Sequence, residues 1–181
     1  MGRWERTHEA LAQAALELFA EHGYDATATA QIAERAGVSE MTLFRHFSTK
    51  EALLLEDPYN PLIAAAVRSR PPGEPVMRTL VESIRQAWSR IDTEDATALR
   101  ARLRIVAEAT TLRGAVERNS GATVAALIDA LADRGVAATE ARVAATAVIA
   151  GLGVALLEWA RSDRITLDTA LDQALMVLGG A

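Results

Sequence analysis

The sequence predicts an all-α protein, a three-helix helix-turn-helix unit followed by a larger helical bundle. Three observations carry that expectation. Apolar residues recur at helical spacing along most of the chain, and strand-like alternation is absent. Ala, Leu, Arg and Glu dominate, and all four are good helix formers. Gly and Pro gather in short clusters between the periodic stretches, where they end one helix and permit the next.

The first helix is expected over 4–22, with Leu11, Ala14, Ala15, Leu18 and Phe19 as its apolar stripe and Gly23 as its stop. Thr29 reads as the N-cap of a short helix over 30–36. Gly37-Val38-Ser39 interrupts it, and Ser39 caps a second short helix over 40–47. Ser48-Thr49-Lys50-Glu51 has the spacing of a capping box and opens a fourth helix through Ala52, Leu53, Leu54 and Leu55. Asp57-Pro58-Tyr59-Asn60-Pro61 should break or kink it, and Pro71-Pro72-Gly73-Glu74-Pro75 is the strongest break in the chain. A helix over 76–90 follows with Leu80, Ile84, Ala87 and Trp88 on one side, then one capped by Thr93 that reaches about residue 109. A short turn near 112–118, two longer helices over 120–133 and 140–161, and a last helix begun by Thr166 or Asp168 complete the pattern.

Bulk properties narrow the function classes. A chain of 181 residues suits one or two domains with a real core. With no cysteine there are no disulfides, thiol nucleophiles or thiolate metal sites. The charged N-terminal stretch is not a signal core, and the longest uncharged run, Val143 to Leu157, is 15 residues, short of the ~20 of a membrane span. A buried helix in a cytoplasmic protein is the expectation there. The net charge is −5, and residues 1–50 hold five Lys/Arg against seven Asp/Glu, so composition alone does not point to nucleic acid.

Placement does. Two short helices joined by Ala36-Gly37-Val38-Ser39 have helix-turn-helix architecture, in which the second helix can enter the major groove. Ile32 and Ala33 should face inward, Val38 should plug the turn, and Leu43 and Phe47 should pack down at i, i+4. The run from Thr29 to Leu53 then resembles the TetR-family signature: an opening Thr, the core Ile32-Ala33-x-x-Ala36-Gly37-Val38-Ser39, the recognition-helix pattern Thr42-Leu43-Phe44-x-His46-Phe47, and Lys50-Glu51-x-Leu53. Ala15-x-x-Leu18-Phe19-x-x-x-Gly23-Tyr24 extends the resemblance upstream, so that it covers about residues 8–55.

The resemblance implies a DNA-binding transcriptional regulator, divided into a helix-turn-helix domain over 1–55 and a regulatory and dimerisation domain over 56–181. It implies binding as a homodimer to an inverted-repeat operator, repression, and release by an unknown small-molecule effector, without a cofactor or metal. Thr29 and Lys50 would contact phosphate, Ser39 would cap the recognition helix, and Thr42 would meet a phosphate or a base edge. Glu40, Met41 and Arg45 are the candidates for base reading, His46 supports a backbone contact, and Arg3 and Arg6 can reach the adjacent groove or backbone. Phe44 stands where the family usually has Tyr, so one hydroxyl contact is missing; Phe44 itself is either part of this face or half-buried core.

The rest of the chain is less specific. Val124, Leu127, Ile128 and Leu131, with Val148, Leu152, Leu156 and Trp159, form apolar stripes that suit a dimer interface or, alternatively, the core of their own domain. Gly151 and Gly153 would permit close backbone approach. Met77, Trp88, Leu103, Ile105 and Leu112 are candidates for an apolar effector pocket, whereas Arg100, Arg102, Arg104 and Arg113 suit an anion or a solvated face. His8, His22 and His46 have no metal or catalytic spacing, and no phosphate-cradling loop or nucleophile motif is present, which argues against an enzyme. The competing reading is a helical protein-interaction module that has lost DNA binding, favoured by the acidic N-terminal part and by Phe44.

Overall fold

The computed structural model describes residues 2–56, 59–89 and 91–179. Among them are ten α-helices and no strand. They are α1 (Arg3–His22), α2 (Thr29–Arg35), α3 (Glu40–His46), α4 (Ala52–Leu55), α5 (Tyr59–Ser69), α6 (Val76–Trp88), α7 (Thr93–Glu108), α8 (Arg113–Ala132), α9 (Ala138–Arg161) and α10 (Leu167–Gly179). The fold class is the one the sequence predicts. Part of the expected break after α4, Asp57 and Pro58, lies outside the described residues.

The chain forms two compact units, and the first is discontinuous: residues up to Glu56, together with Ala98–Val116. Its core is built from the faces that helical periodicity marks. Leu11, Ala14, Ala15, Leu18 and Phe19 of α1 meet Ile32 and Ala33 of α2, Leu43 of α3, Phe47, and Leu53 and Leu54 of α4. Ile105, Ala109, Leu112 and Ala115 complete the same core. Each large aliphatic side chain removed from water there contributes roughly 1.5–3 kcal/mol. The sequence division placed everything after residue 55 together, whereas 98–116 packs with the helix-turn-helix. Arg102 of α7 adds a polar tie: its guanidinium donates to the carbonyls of Leu54 (3.2 Å) and Glu56 (2.6 Å), serving orphan acceptors at the end of α4 rather than a solvated face.

The second unit holds the described residues within 57–97 and 117–181. Here α5 packs on α6, and α6, α9 and α10 pack on one another. The expected stripe of α6 is buried: Leu80, Ile84, Ala87 and Trp88. Its polar side is stitched by Arg70, which grips the Glu74 carboxylate, and by the Thr79 hydroxyl on the same carboxylate (3.1 Å). Arg134 donates to the carbonyls of Arg70 and Pro71 and so holds the Pro-Pro-Gly break in place. By length and composition α9 measures up as a membrane-crossing helix, and a third of its most apolar stretch is buried in the protein. The helix expected to be buried is buried along one stripe, Ala141, Ala144, Ala145, Val148, Leu152, Trp159 and Ala160.

Four local expectations need correction. Ala28, not Thr29, is the N-cap of α2, because the Gln31 side chain reaches back to accept the Ala28 amide (2.8 Å) and Thr29 is already helical. Asp92 takes the place assigned to Thr93: its carboxylate accepts the Asp95 amide (2.9 Å). At α4 it is the Thr49 hydroxyl that accepts the Ala52 amide (3.3 Å), one residue later than the Ser48 frame. The short turn near 112–118 and the helix from 120 are one helix, α8, preceded by a 3-10 turn over Thr110–Leu112. Gly121 lies inside it, a cost of about 1 kcal/mol relative to Ala that the surrounding helix absorbs.

Candidate nucleic-acid interface

The turn between α2 and α3 is closed by backbone bonds. Gly37 has φ +69°, a left-handed value a side chain would strain, and the amides of Gly37 and Val38 donate to Glu34 (3.0 Å) and Ala33 (2.9 Å). Val38 is half-buried against the core, as a plug for the turn should be. Upstream, the buried Thr27 hydroxyl lies 2.9 Å from the Gly23 carbonyl and 3.2 Å from that of Leu18, which ties the α1–α2 loop to the end of α1. Sequence reasoning passed over Thr27, because a Thr in a loop looks like a solvated residue until its partner is known.

With Leu43 and Phe47 committed to the core, the other sides of α3 are left outward. Met41 is 67% exposed and Phe44 47%, so Phe44 belongs to the outer face and not to the core. Glu40 and Arg45 are exposed, and Arg45 lies 3.5 Å from the Met41 sulfur. Ser39 caps α3 as expected: its hydroxyl accepts the Thr42 amide at 3.2 Å and lies 2.9 Å from the Thr42 hydroxyl. Thr29 donates to Glu40 at 2.6 Å, so the first residues of α2 and α3 meet. Thr29, Ser39, Glu40 and Thr42 are thus joined in pairs at the α2 and α3 N-termini, beside the exposed Met41, Phe44 and Arg45.

The two remaining site residues are held from behind. Lys50 donates to the Tyr24 carbonyl at 2.5 Å, and its ammonium lies 4.2 Å from the Tyr24 ring centre. Burial lowers the Lys50 pKa, with Asp25 and Glu51 pulling the other way, and burial also pushes Tyr24 up to about 12. His46 stacks on Trp4 of α1, ring centres 3.6 Å apart and planes 25° from parallel. His8 packs beside His46 at 5.7 Å and stacks on Phe47 at 4.2 Å. Burial, and then the neighbouring His8, hold the His46 pKa below the usual histidine range. Sequence reasoning missed Trp4 and His8, whose partners on α3 are far along the chain.

The expected effector residues are divided between the two units. Ile105 and Leu112 are core of the first unit, Leu103 lies in that unit's α7 segment, and Met77 and Trp88 lie on α6 in the second. Trp88 alone borders one of the described clefts, a space of about 210 Å³ with Ile84, Arg85, Asp168, Leu171 and Asp172 on its walls. The expected dimer stripe also needs revision. Leu127, Leu131, Val148, Leu152 and Trp159 are at most 4% exposed within the single chain, and α9, which carries the last three, packs on α6 and α10. Only Val124, Ile128 and Leu156 are partly exposed. A side chain on Gly151 would come within 2.8 Å of Leu178, so that close approach is to the chain's own α10; Gly153 faces open space. The apolar residues that do stand out on the last two helices are Val143, Val154, Met176 and Val177.

An outward recognition helix, its neighbour's N-terminus beside it and a glycine turn between them define a helix-turn-helix DNA-binding protein. Comparison with known proteins agrees. The family described as "Bacterial regulatory proteins, tetR family" matches residues 11–56, and "MftR C-terminal domain" matches 74–181, more than half of the chain. The regulator TcmR of Streptomyces glaucescens is 36% identical over 88 residues, 48% of this chain and 39% of TcmR. The chain spans between 25% and 39% of the length of the curated relatives it matches. NalD, the secondary repressor of the MexAB-OprM multidrug efflux pump in Pseudomonas aeruginosa, has a similar structure: TM-score 0.61, 27% identity, covering 96% of this chain and 94% of NalD. FadR from Bacillus subtilis, solved in complex with stearoyl-CoA, shares the fold at TM-score 0.60 and 20% identity, over 95% and 97% of the two chains. The chain belongs to the TetR family of DNA-binding transcriptional regulators, a non-enzymatic family.

Proposed function

We propose that this regulator is a cytoplasmic repressor that binds an inverted-repeat operator as a homodimer and leaves it when a small molecule binds. The observation that carries the reading is the outer face of α3, where Met41, Phe44 and Arg45 stand clear beside the Thr29 and Thr42 hydroxyls. Arg45 and Met41 read bases, with Glu40 a further candidate; Thr29, Thr42 and Lys50 serve the phosphates, and Ser39 fixes the helix that carries them. For Lys50 to do so, its ammonium exchanges the Tyr24 carbonyl for a phosphate oxygen.

Dimerisation runs through the outer faces of α9 and α10, with Val143, Val154, Met176 and Val177 at its centre. Between these helices lies an apolar groove of about 360 Å³ lined by Gly151, Val154, Ala155, Ala174, Val177 and Leu178, which a second copy would fill. This replaces the stripe expected from sequence: α10 takes the place of α8, and α9 contributes Val143 and Val154 in place of the buried Val148, Leu152 and Trp159. Two copies would present their recognition helices ~34–36 Å apart, one turn of DNA. The second unit serves as the regulatory part. Trp88 and its cleft are the best-supported effector contact, and their mixed lining suits a molecule with an apolar body and a polar end.

Selection of bound sequences from a random duplex library tests the reading. An enriched inverted repeat, with affinity falling steeply as salt rises, is the expected result. A folded protein that enriches nothing, and whose affinity for DNA is insensitive to salt, would favour a protein-interaction module. Val154→Glu should give monomers by light scattering, since an unpaired charge would be buried in the apolar interface; an intact dimer would show that another face is used.

A further inference from the structure

His46 is held by ring packing and not by hydrogen bonds. Its Nδ1 is buried and has no hydrogen-bond partner, so nothing polar sets the rotation of the imidazole from that side. What fixes the ring is a continuous stack: Trp4 lies against His46, His8 packs beside it, and His8 lies in turn against Phe47 at the end of α3. The first and third of these belong to α1, so the stack joins the start of α1 to the end of the recognition helix. Trp4 itself stays 57% exposed, and it gains little burial from lying there. With Nδ1 turned inward, Nε2 is the one nitrogen left to meet DNA.

We propose that Trp4 is a positioning residue for DNA recognition, holding His46 so that Nε2 donates a hydrogen bond to a backbone phosphate. The proposal rests on the proposed DNA-binding face of α3 and takes the backbone contact that the family resemblance implies for His46 to be a direct one to phosphate. Burial beside His8 disfavours the imidazolium, and a neutral imidazole displaces no counterion from DNA when it binds. The contact therefore adds affinity without adding to the salt dependence, unlike one made by Lys50. Loss of the stack frees the imidazole to rotate, and DNA must then order it. That weakens binding by roughly three- to tenfold, the cost of immobilising one side chain.

The test is a set of variants measured on the full chain by fluorescence anisotropy with a labelled duplex of the selected operator, over a range of salt. Trp4→Ala should weaken binding by that factor with parallel salt lines, Trp4→Phe should restore it, and Trp4→Leu, apolar but unable to stack, should not. In the pair Trp4→Ala with His46→Ala, binding should be no weaker than with His46→Ala alone. Thermal unfolding of each variant separates lost folding from lost positioning. Unchanged affinity in a folded Trp4→Ala protein, or losses that simply multiply in the pair, overturns the proposal. If His46→Ala alone leaves affinity unchanged, the phosphate reading of His46 fails first and takes the proposal with it.

Discussion

Leu112 offers the sharpest test of the fold, because sequence and structure give it different work. As an effector-pocket residue it would alter ligand response; as packed here, it closes the core beneath the helix-turn-helix. Its side chain is 1% exposed, and Ala109 and Ala115, its neighbours in that core, are too small to fill the space it would leave. Leu→Ala at such sites costs 2–5 kcal/mol, and with poor collapse the expectation is about 3 kcal/mol. For a unit of this size that is a fall in Tm on the order of 15 °C, and a large part of a typical stability of ~5–15 kcal/mol. All three histidines, His8, His22 and His46, lie in this unit, so their ring-proton NMR signals follow its unfolding selectively. Leu112→Ala should lower the temperature at which those signals reach unfolded positions, and DNA binding should be lost over the same range. Histidine signals that melt as in the parent protein would refute the assignment of 98–116 to this core.

Three further outcomes follow from the site and the second unit. Ser39→Ala should cost about 1 kcal/mol by removing the cap of α3, and Ser39→Asp should recover most of it; urea unfolding checks both, and no loss would mean that the cap contributes little. Glu40→Gln should tighten binding to non-operator duplexes, because it removes a negative charge from the DNA face and loosens its hold on the Thr29 hydroxyl, and should weaken operator binding relative to them if Glu40 reads a base; unchanged anisotropy titrations on both would show that Glu40 lies away from DNA. The Arg70 guanidinium holds the Glu74 carboxyl below its ordinary pKa of 4.5. A depressed carboxylate stabilises the fold above the unfolded value and loses that contribution as pH falls through the folded one. Acid unfolding should therefore begin at higher pH in Glu74→Gln than in the parent, and coincident acid limbs would remove the pair from the stability of this unit.

Much of the first unit was legible because a helical period says which side of a helix is apolar. Ile32, Ala33, Leu43 and Phe47 face inward as their spacing requires, and Ser39 caps because a hydroxyl before a new helix has an amide within reach. The period does not say what covers an apolar side. Ile105 and Leu112 looked like pocket walls, and Val148, Leu152 and Trp159 like an interface; all five are covered by the chain itself. The exposed Val143, Val154, Met176 and Val177 stand out only after that core has been placed. Thr29 was misread by one position because the deciding bond comes from Gln31, a residue with no capping reputation at that spacing without a Ser or Thr partner. The Trp4–His46 stack joins residues on two helices, and no local pattern announces it.

The position of Lys50 has a practical consequence. It is the one lysine among 181 residues, every other basic side chain of the Lys/Arg pair being arginine. An amine-seeking reagent therefore finds a single side-chain address, and that address lies in the DNA-binding unit, drawn against the Tyr24 carbonyl. Its rate of acylation becomes a built-in footprint: slow while the amine is tucked against Tyr24, faster when it swings out, and blocked when a phosphate covers it. A dye or cross-linker placed there would report on this corner of the molecule with no engineering of the chain.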